Sequence, residues 1–464
     1  MTATLGTAEL PLRVAIIGAG PAGFYAVEAL LKQKTLACRV DIFNRLPTPF
    51  GLVREGVAPD HQSIKAVTRI YDRIASDPHV RYYGNVTFGS DLSSVDLAQH
   101  YDAVVYAVGA QSDRRMGIPG EDLVGSFPAT IFVGWYNGQP DYCDLHFDLS
   151  HERVVVIGNG NVAMDVTRIL VTDPAELATT DIADYALEAL RASQVREVVM
   201  LGRRGPAQAA FTSPELKEFG ELHGVDVIID PADLELDEAS AALVDSDKTA
   251  KKNLDMLRAY AAKSSTGAPR RIVMRFLASP AELLGAERVE LLRIERNALL
   301  AGADGSTRAK GIGVFETITT GMVLRSVGYK GAPLADLPYD PDKGTIPNVE
   351  GRVTAGPAGA TMAGHYVVGW AKRGPSGVIG TNKPDAGATI AKLLEDMPGL
   401  ALAPTRDDGA IEALLRERGV DIVTYKDWAA LNAFESAQGN AQSRPRVKVT
   451  RVAEMLAIIH AARS

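Results

Sequence analysis

Cysteine is nearly absent from this sequence, and its scarcity excludes several kinds of site. The 464 residues contain only Cys38 and Cys143, too few and too far apart for a disulfide framework, a zinc site or an iron–sulfur cluster. No C-x-x-C motif occurs. The sequence therefore excludes an enzyme that reduces disulfides through a redox-active cysteine pair.

Long apolar runs and an excess of positive charge are also missing. No uninterrupted apolar run approaches the roughly 18 residues that span a bilayer, and residues 1–13 have no apolar core flanked by basic residues. The net charge of −8 argues against nucleic acid as a main partner but allows a local basic surface. The length of 464 residues predicts two or three domains, and 46% apolar with 23% charged residues is an ordinary composition for a globular protein. We expect a cytoplasmic protein without membrane insertion.

A glycine-rich turn near the N-terminus joins a predicted strand to a predicted helix. The run RVAII at residues 13–17 is typical of a strand buried on both faces, and GAGPAG follows it. Gly18 allows the tight turn, Gly20 lets the backbone approach a pyrophosphate, and Gly23 lets the helix lie close to the strand. In this context the G-x-G-x-x-G motif predicts a dinucleotide-binding site; the alternative is a purely structural turn.

The next predicted strand, residues 38–43, ends beside Asn44, where an acidic residue normally binds a ribose diol. An amide can still accept a hydrogen bond from one hydroxyl, so we expect the site to survive with less charge. Asp41 is expected to point to the other face or into the sheet. The irregular segment at residues 46–61 is rich in proline and glycine, and we expect it to cover a ligand.

A second turn of this kind lies at residues 158–163, after the predicted strand RVVVI. Gly158 and Gly160 repeat the first two glycines. Ala163 replaces the third, a change that the pattern permits. The sequence therefore predicts a second dinucleotide-binding site.

Two arginines indicate which nucleotide the second site binds. The predicted strand at residues 197–201 leads to Arg203 and Arg204, where an acidic ribose-binding residue would otherwise stand. Guanidinium groups bind phosphate bidentately, whereas an acid would repel it. The pair predicts a 2′-phosphate and hence NADP(H); the alternative is a solvated basic pair at a strand end.

The rest of the chain repeats this organisation. Each turn is followed later by a predicted strand that ends in glycine, at residues 101–109 and 322–328, which indicates two dinucleotide-binding domains of the same kind. Residues 211–329 are expected to alternate helices with strands, and residues 331–357 to be loop-like.

A third glycine-rich turn, GPSG at residues 374–377, is expected to start a long helix that runs to about Glu395, with free N–H groups at its beginning. The residues after about Pro404 are expected to form a helical appendage without recognisable chemistry.

These motifs together resemble the adrenodoxin reductase family of NADPH-dependent flavoproteins that reduce ferredoxins, and in particular its bacterial ferredoxin–NADP reductases. The similarity runs from Val14 to about Leu394 and includes PTPFGLVREGVAPDH, AVGAQSDR, GNGNVAMDV, GRRGPAQAAF and GWAKRGPSGVIGTNKPDA. The resemblance implies an α/β fold of two Rossmann-like, doubly wound, three-layer domains, one inserted in the other. It implies an FAD domain from residues 1–110 and 331–464, and an NADPH domain from residues 111–330.

The resemblance also implies the residues that hold the cofactors. FAD would be held by the first glycine turn with Ala22, Asn44, Leu52, Val86, Trp370, Gly377, Val378 and Ile379. The family has an acid at the position of Asn44. NADPH would be held by Asn159, Gly160, Asn161, Val162, Arg203, Arg204, Glu215 and Gly377.

Two further residues match polar positions near the flavin in the family. His61 and Asp165 are therefore candidates to relay protons, although His61 could instead cap a helix and Asp165 could orient a helix start. Trp370 lies beside a glycine turn, which favours stacking on the flavin over a place in the core.

The implied reaction is hydride transfer from NADPH to FAD, followed by single-electron steps to a ferredoxin or a similar acidic carrier. No metal site is expected. The alternatives are a flavin monooxygenase, the electron-input subunit of a larger enzyme, and a passive dinucleotide-binding protein. Residues 248–275 contain eight basic residues and the single acid Asp255, so we expect them to contribute a docking surface for the carrier.

Overall fold

The computed structural model describes residues 4–302 and 307–463. The strands in chain order are β1 (Leu12–Ile17), β2 (Cys38–Asn44), β3 (Val80–Gly84), β4 (Ala103–Tyr106), β5 (Ser112–Asp113), β6 (Ser126–Pro128), β7 (Arg153–Ile157), β8 (Glu197–Leu201), β9 (Val225–Ile229), β10 (Arg270–Arg275), β11 (Ala278–Leu284), β12 (Leu291–Ala301), β13 (Thr307–Thr319), β14 (Met322–Arg325), β15 (Tyr329–Lys330), β16 (Asn348–Val349), β17 (Arg352–Thr354) and β18 (Thr361–Val367). The helices in chain order are α1 (Pro21–Leu31), α2 (Leu52–Glu55), α3 (Gln62–Lys65), α4 (Thr68–Ala75), α5 (Ser94–His100), α6 (Ala129–Tyr136), α7 (Asn161–Val171), α8 (Pro174–Leu177), α9 (Asp184–Arg191), α10 (Ser213–Phe219), α11 (Glu238–Ser246), α12 (Lys248–Ala261), α13 (Trp370–Arg373), α14 (Asn382–Asp396), α15 (Ala410–Glu417), α16 (Tyr425–Asn440) and α17 (Val452–Arg463).

The first sheet contains seven strands in the order β16-β17-β18-β4-β1-β2-β3. The strands from β18 to β3 are parallel, and β16 and β17 add an antiparallel edge. Alternate residues of β1 face two separate apolar clusters, with Val14 and Ile16 in one and Ala15 and Ile17 in the other. The sheet is therefore the middle of three layers, and we call it and the elements around it the outer part.

The second sheet contains six parallel strands in the order β6-β14-β7-β8-β10-β9. Val154 and Val156 face a cluster built mainly from helices, whereas Val155 and Ile157 face the antiparallel sheet β11-β12-β13. Its strands come from residues 126–325, between two portions of the first sheet, and we call them and the elements around them the inserted part. Two three-layer α/β parts, each built on a mainly parallel sheet and one inserted in the other, confirm the predicted fold class.

The two crossings between these parts lie side by side. β5, on the way into the inserted part, pairs antiparallel with β15, on the way back. The residues after Pro404 form α15, α16 and α17, as predicted, and Trp428 of α16 packs edge-on against Phe50 in the core of the outer part. Within the described residues, no helix is both long enough and apolar enough to cross a bilayer.

Several predicted elements differ from the observed ones. Residues 62–75 form two helices, α3 and α4, rather than one, and Thr68 Oγ1 donates a hydrogen bond to Lys65 O at the break. Residues 211–329 do not simply alternate helices with strands, since they include the antiparallel sheet β11-β12-β13. The loop predicted over residues 331–357 contains the short strands β16 and β17.

Candidate functional site

The first glycine turn leaves an open space at the end of β1. A Cβ on Gly18, whose φ is +110°, would lie 2.6 Å from Ala107 O, and a Cβ on Gly23 would overlap Gly18 O. Around Gly20, in contrast, a Cβ would have no heavy atom within 4 Å. Because α1 begins directly after Gly20 without a side-chain cap, its first N–H groups are free to bind an anion. The turn therefore has the cradle that a pyrophosphate needs.

The loop at residues 46–61 lies against this turn. Phe50 N–H donates to Ala19 O at 2.8 Å, and a Cβ on Gly51 would lie 3.1 Å from Gly20 Cα. Leu52, the first residue of α2, leaves 43% of its surface exposed. The loop is placed to cover a ligand in the cradle, with an apolar side chain at its edge.

Asn44 braces the turn from the end of β2. Its Oδ1 accepts from Ala19 N–H at 3.2 Å, and its Nδ2 donates to Leu46 O at 2.9 Å and to Thr48 O at 3.0 Å. Val86 N–H donates to Asn44 O at 3.0 Å, and the Val86 side chain is buried. The amide oxygen keeps one lone pair for a hydroxyl, so the ribose contact stays a prediction. The bracing role is one that the sequence analysis missed.

The third glycine-rich segment lies next to the first turn. A Cβ on Gly369, whose φ is +70°, would lie 2.6 Å from Ala22 Cβ in α1. Trp370 is half-buried rather than part of the core, its Nε1 donates to Ser376 O at 3.2 Å, and its ring centroid lies 5.2 Å from that of Tyr329. Gly369, directly before Trp370, therefore lies against the helix that begins at the first cradle, and stacking of the indole on a flavin stays a prediction.

The chain after Trp370 reaches its long helix later than predicted. A Cβ on Gly377, whose φ is +80°, would lie 2.6 Å from Thr381 Oγ1, and Val378 N–H donates to the same oxygen at 3.1 Å. Ile379 starts a single 3-10 turn, and α14 begins only at Asn382. The Val378 side chain is 60% exposed and, like Leu52, offers apolar surface that a bound ring would cover.

The second glycine turn repeats the geometry of the first. A Cβ on Gly158, whose φ is +135°, would overlap Ser326 O, whereas the atom nearest to a Cβ on Gly160 is Ala210 Cβ at 4.0 Å. α7 begins directly after Gly160 without a side-chain cap. The inserted part therefore has a cradle of its own at the end of β7.

Two asparagines tie this second turn to the chain that follows β8. Ala210 N–H donates to Asn159 O at 3.0 Å, and Thr212 N–H donates to Asn161 Oδ1 at 2.9 Å. Val162 is half-buried beside them. The contacts hold residues 210–212 against the rim of the cradle.

The side chains of Arg203 and Arg204 are available for an anion. Neither guanidinium has a carboxylate partner in the described part of the chain. Asn297 Nδ2 donates to Arg203 O at 2.8 Å and Leu277 N–H donates to Arg204 O at 3.1 Å, so the backbone is anchored. Burial and the neighbouring charge of Arg203 lower the pKa of Arg204. Two adjacent unpaired cations favour the phosphate interpretation over a solvated strand end.

A cluster of charged side chains joins the outer and inserted parts. His61 precedes α3, Asp165 lies on α7, and Glu215 and Glu218 lie on α10. His61 Nε2 lies 2.9 Å from Glu218 Oε2 and 4.0 Å from Glu215 Oε2. His61 Nδ1 lies 3.7 Å from Asp165 Oδ1. The structure thus brings together His61 and Asp165, the candidates to relay protons, with Glu215, which the resemblance assigned to the NADPH site.

Arg168 lies at the centre of this cluster, and its side chain is 3% exposed. Its Nη2 donates to Asp165 Oδ1 at 2.7 Å, and its Nη1 lies 3.1 Å from Glu218 Oε2 and 3.4 Å from Glu215 Oε2. Its Nε and Nη2 also donate to the two carboxylate oxygens of Asp60, at 2.7 and 3.0 Å. The guanidinium therefore holds the loop at residues 46–61, α7 and α10 together.

The cluster is able to hold protons near neutral pH, because its carboxylates outnumber its cations. Burial and the nearby charge of Asp165 raise the pKa of Glu215 to about 7. Burial raises the pKa of Asp165 despite the opposing charge of Arg168. Burial disfavours protonation of His61, but its hydrogen bond to Glu218 prevails and raises the pKa of the imidazole. Such perturbed groups in a cleft are typical of functional sites.

The two structural alternatives for this cluster do not match the geometry. His61 occupies the N-cap position of α3, but its side chain makes no capping hydrogen bond. The Asp165 carboxylate binds Arg168 rather than the start of α7. The sequence analysis missed Asp60, Arg168 and Glu218. Asp165 with Arg168, and Glu215 with Glu218, have the i, i+3 spacing that puts side chains on one helical face, and this was the available signal.

Ligand atoms of His61, Asp165 and Glu215 all lie within 4.8 Å of one another, which is close enough for a metal ion. The Arg168 guanidinium already binds Asp165 and approaches Glu215, so a cation there would meet a fixed positive charge. The arrangement fits proton exchange better than metal binding.

The chain is similar to proteins of known function over nearly its whole length. The family described as Pyridine nucleotide-disulphide oxidoreductase matches residues 12–229. The NADPH-ferredoxin reductase FprA of Mycobacterium tuberculosis is 48% identical over 460 residues, covering 97% of this chain and 99% of the relative. The mitochondrial NADPH:adrenodoxin oxidoreductase of Arabidopsis thaliana is 41% identical over 460 residues, covering 96% of this chain and 95% of the relative.

A solved structure supports the same relationship. The structure described as Mycobacterium tuberculosis FprA in complex with NADPH has a TM-score of 0.91 and 47% sequence identity, and covers 97% of this chain and 100% of that one. The disulfide chemistry in the broader family's name has no counterpart here, because Cys38 and Cys143 are both unpaired and distant in sequence. The chain belongs to the adrenodoxin reductase family, together with the NADPH-ferredoxin reductase FprA and NADPH:adrenodoxin oxidoreductase.

Proposed function

We propose that this chain is a ferredoxin–NADP(+) reductase that takes a hydride from NADPH onto FAD and passes single electrons to a ferredoxin-type iron–sulfur protein. One contact carries the proposal. His61, from the loop that lies on the first cradle, meets Asp165, from the helix that begins at the second cradle. Ligands bound in the two cradles would therefore approach each other near His61 and Asp165, whose side chains can hold a proton.

Bound FAD supplies the conversion of a two-electron hydride into single-electron steps. The open space at Gly20 fits the FAD pyrophosphate, and the exposed side chains of Leu52 and Val378 fit the edge of its ring. We assign to the FAD site the residues Gly18, Gly20, Ala22, Gly23, Asn44, Leu52, Val86, Trp370, Gly377, Val378 and Ile379.

The open space at Gly160 fits the NADPH pyrophosphate, and the unpaired guanidinium groups of Arg203 and Arg204 fit its 2′-phosphate. We assign to the NADPH site the residues Asn159, Gly160, Asn161, Val162, Arg203, Arg204, Glu215 and Gly377. His61 and Asp165 hold a proton beside the two cofactors. With both cofactors bound, the chain orients them and excludes water.

The domain boundaries of this proposal are residues 1–110 with 331–464 for FAD and residues 111–330 for NADPH. Sheet membership supports them, since the pairing of β5 with β15 marks both crossings. We also propose a cytoplasmic location. The unpaired thiols of Cys38 and Cys143 are consistent with a reducing compartment.

For the carrier, we propose a docking surface on α12. Exposed basic side chains follow one another along and just beyond this helix: Lys248, Lys251, Lys252, Arg258 and Lys263. α12 packs against α10, which carries Glu215 and Glu218. Arg271 and Arg275, which the sequence analysis included, instead pair with acids and contribute less free charge.

The function is tested by following the visible absorbance of the purified protein under anaerobic conditions. NADPH is expected to bleach a flavin spectrum rapidly, NADH far more slowly, and catalytic reduction of a ferredoxin from the same organism is expected to follow. A bound flavin that NADPH does not bleach would identify a passive binder. Rapid bleaching without ferredoxin reduction, together with substrate-dependent oxygen uptake, would identify a monooxygenase.

A further inference from the structure

The C-terminal residues 444–448 lie in the seam between the outer and inserted parts. Arg444, which is buried, donates from Nε to Thr180 O at 3.0 Å and from Nη2 to Ile182 O, both in the inserted part. Lys448 Nζ donates to Asn137 O at 2.9 Å in the inserted part and to Arg54 O at 3.1 Å in the outer part. The segment therefore bonds to both parts at once.

Lys448 also completes a buried ionic cluster. Its side chain is 1% exposed, and its Nζ lies 3.3 Å from Asp181 Oδ2. Lys65 Nζ donates to the other carboxylate oxygen of Asp181 at 2.6 Å. One carboxylate of the inserted part thus contacts the amino group of Lys65, from α3, and that of Lys448, from the C-terminal segment, and burial lowers the pKa of both lysines. Buried charges tolerate little displacement from their partners, so the three groups fix one another's positions.

Lys65 is one helical turn from His61. It is the last residue of α3, and its N–H donates to His61 O at 3.1 Å. A four-residue helix is not stable by itself, so its position depends on tertiary contacts. α3 is bound at its end by the Lys65–Asp181 pair and at its beginning by the hydrogen bond of His61 to Glu218 at 2.9 Å.

We propose that Lys448 and Asp181 are positioning residues, which anchor α3 through Lys65 and so hold His61 at the junction of the two cradles. The role of His61 in the reaction rests on the proposed function, whereas the anchoring of α3 does not. In the proposed reaction, the C-terminal segment 444–448, which we call the clasp, would keep His61 beside Asp165, where ligands of the two cradles would meet. The hydrogen bonds of Lys448 join it to Asp181, Asn137 and Arg54 rather than to the glycine turns.

The test compares Lys448→Met and Asp181→Asn with the control Arg451→Ala. The control removes an exposed ion pair between Asp144 and Arg451, three residues beyond the segment. In holoenzyme, we expect the two cluster variants to slow flavin reduction by NADPH about 10- to 100-fold, because small displacements of reacting groups have effects of this size. The apparent Kd for NADPH should change less than about threefold. Amide hydrogen exchange should rise over residues 61–67, and the control should match wild type in all three measurements.

Other results would overturn the proposal. Exchange that rises only over residues 440–450, with flavin reduction unchanged, would overturn the proposal and leave the clasp a purely structural feature. A uniform loss of FAD and of NADPH binding would also overturn it. If Lys448→Met does not fold, Asp181→Asn decides alone, because it keeps the volume of the side chain and one of its two accepting oxygens. If wild type reduces no ferredoxin, the proposed function fails, while the exchange over residues 61–67 still tests the anchoring.

Discussion

His61 and Asp165 are more than 100 residues apart in sequence, yet His61 Nδ1 lies 3.7 Å from Asp165 Oδ1. They meet because the loop that covers the first glycine turn extends to the helix that follows the second. The contact crosses between the two parts of the molecule and lies among four carboxylates. The environment of a proton on His61 or Asp165 therefore depends on how the two parts of the molecule are positioned relative to each other.

Arg168 is expected to be indispensable to this junction. Replacing it with methionine leaves Asp60, Asp165, Glu215 and Glu218 without their shared cation, and removal of one partner of a buried ion pair typically destabilises a protein by about 3–5 kcal/mol. Arg168→Lys should not restore stability, because a lysine cannot reproduce the guanidinium fork. Thermal unfolding of both variants measures the effect, with Arg191→Met on the exposed face of α9 as control. A Tm within a degree of wild type would contradict the central role of Arg168.

Glu215 should make stability depend on pH. Its pKa is raised from 4.5 to about 7, so the folded state binds this proton more tightly than the unfolded state does. The resulting stabilisation is complete below about pH 4.5 and is lost as the pH rises through about 7. Glu215→Gln should remove this loss, on the order of 1–3 kcal/mol in unfolding free energy between pH 5 and 8. Denaturant unfolding across this range checks it. The exposed Glu221→Gln should keep the wild-type profile.

The two cradles could be predicted from sequence because each glycine acts locally. At Gly18 and Gly158 a side chain would collide with the backbone of the neighbouring strand connection, and the motif alone implies this. Arg168 could not be found in the same way. The i, i+3 spacing puts Arg168 on the same helical face as Asp165, but its other partners, Asp60 and Glu218, come from distant segments that only the fold brings together.

Asn44 is a residue whose position was predicted from the sequence but whose contacts were not. Its position at the end of β2 indicated a ribose contact, but its three hydrogen bonds to nearby backbone groups depend on how residues 46–48 turn back. Asp41, expected to point to the other face or into the sheet, directs its carboxylate to Arg81 and Tyr101, which donate hydrogen bonds to it.

Asn44→Ala should therefore weaken the turn as well as the ribose contact. With a net value of about 1 kcal/mol for each hydrogen bond, the three lost bonds predict a decrease of about 2–3 kcal/mol in unfolding free energy. FAD should still bind, because its other contacts are spread over the cradle, although more weakly. Equilibrium dialysis of FAD and urea unfolding measure the two effects. Loss of FAD binding with unchanged stability would show that ribose recognition, not bracing, is the main role of Asn44.

Arg203 and Arg204 should determine the preference for NADPH. A charge-assisted hydrogen bond to phosphate contributes about 1.5–3 kcal/mol, so replacing both with alanine should raise the KM for NADPH more than 100-fold. The KM for NADH, which lacks the phosphate, should change little. The control is Arg196→Ala, which removes an exposed arginine just before β8, at the opposite end of the strand that leads to Arg203. Equal losses with both nucleotides would refute the assignment.

The basic surface of α12 should set the rate at which the carrier docks. Lys252 and Arg258 are exposed and have no acidic partner in the described part of the chain, so reversing both to glutamate replaces attraction for an acidic protein with repulsion. At low ionic strength, ferredoxin reduction should fall about tenfold or more, and the difference should shrink as salt screens the charges. NADPH oxidation by ferricyanide, which needs no protein docking, should be unchanged.

Lys426→Glu, on the exposed side of α16, provides the matched control. An unchanged ferredoxin rate at low salt would exclude α12 as the docking surface, whereas a parallel loss of both activities would locate the damage in the NADPH site.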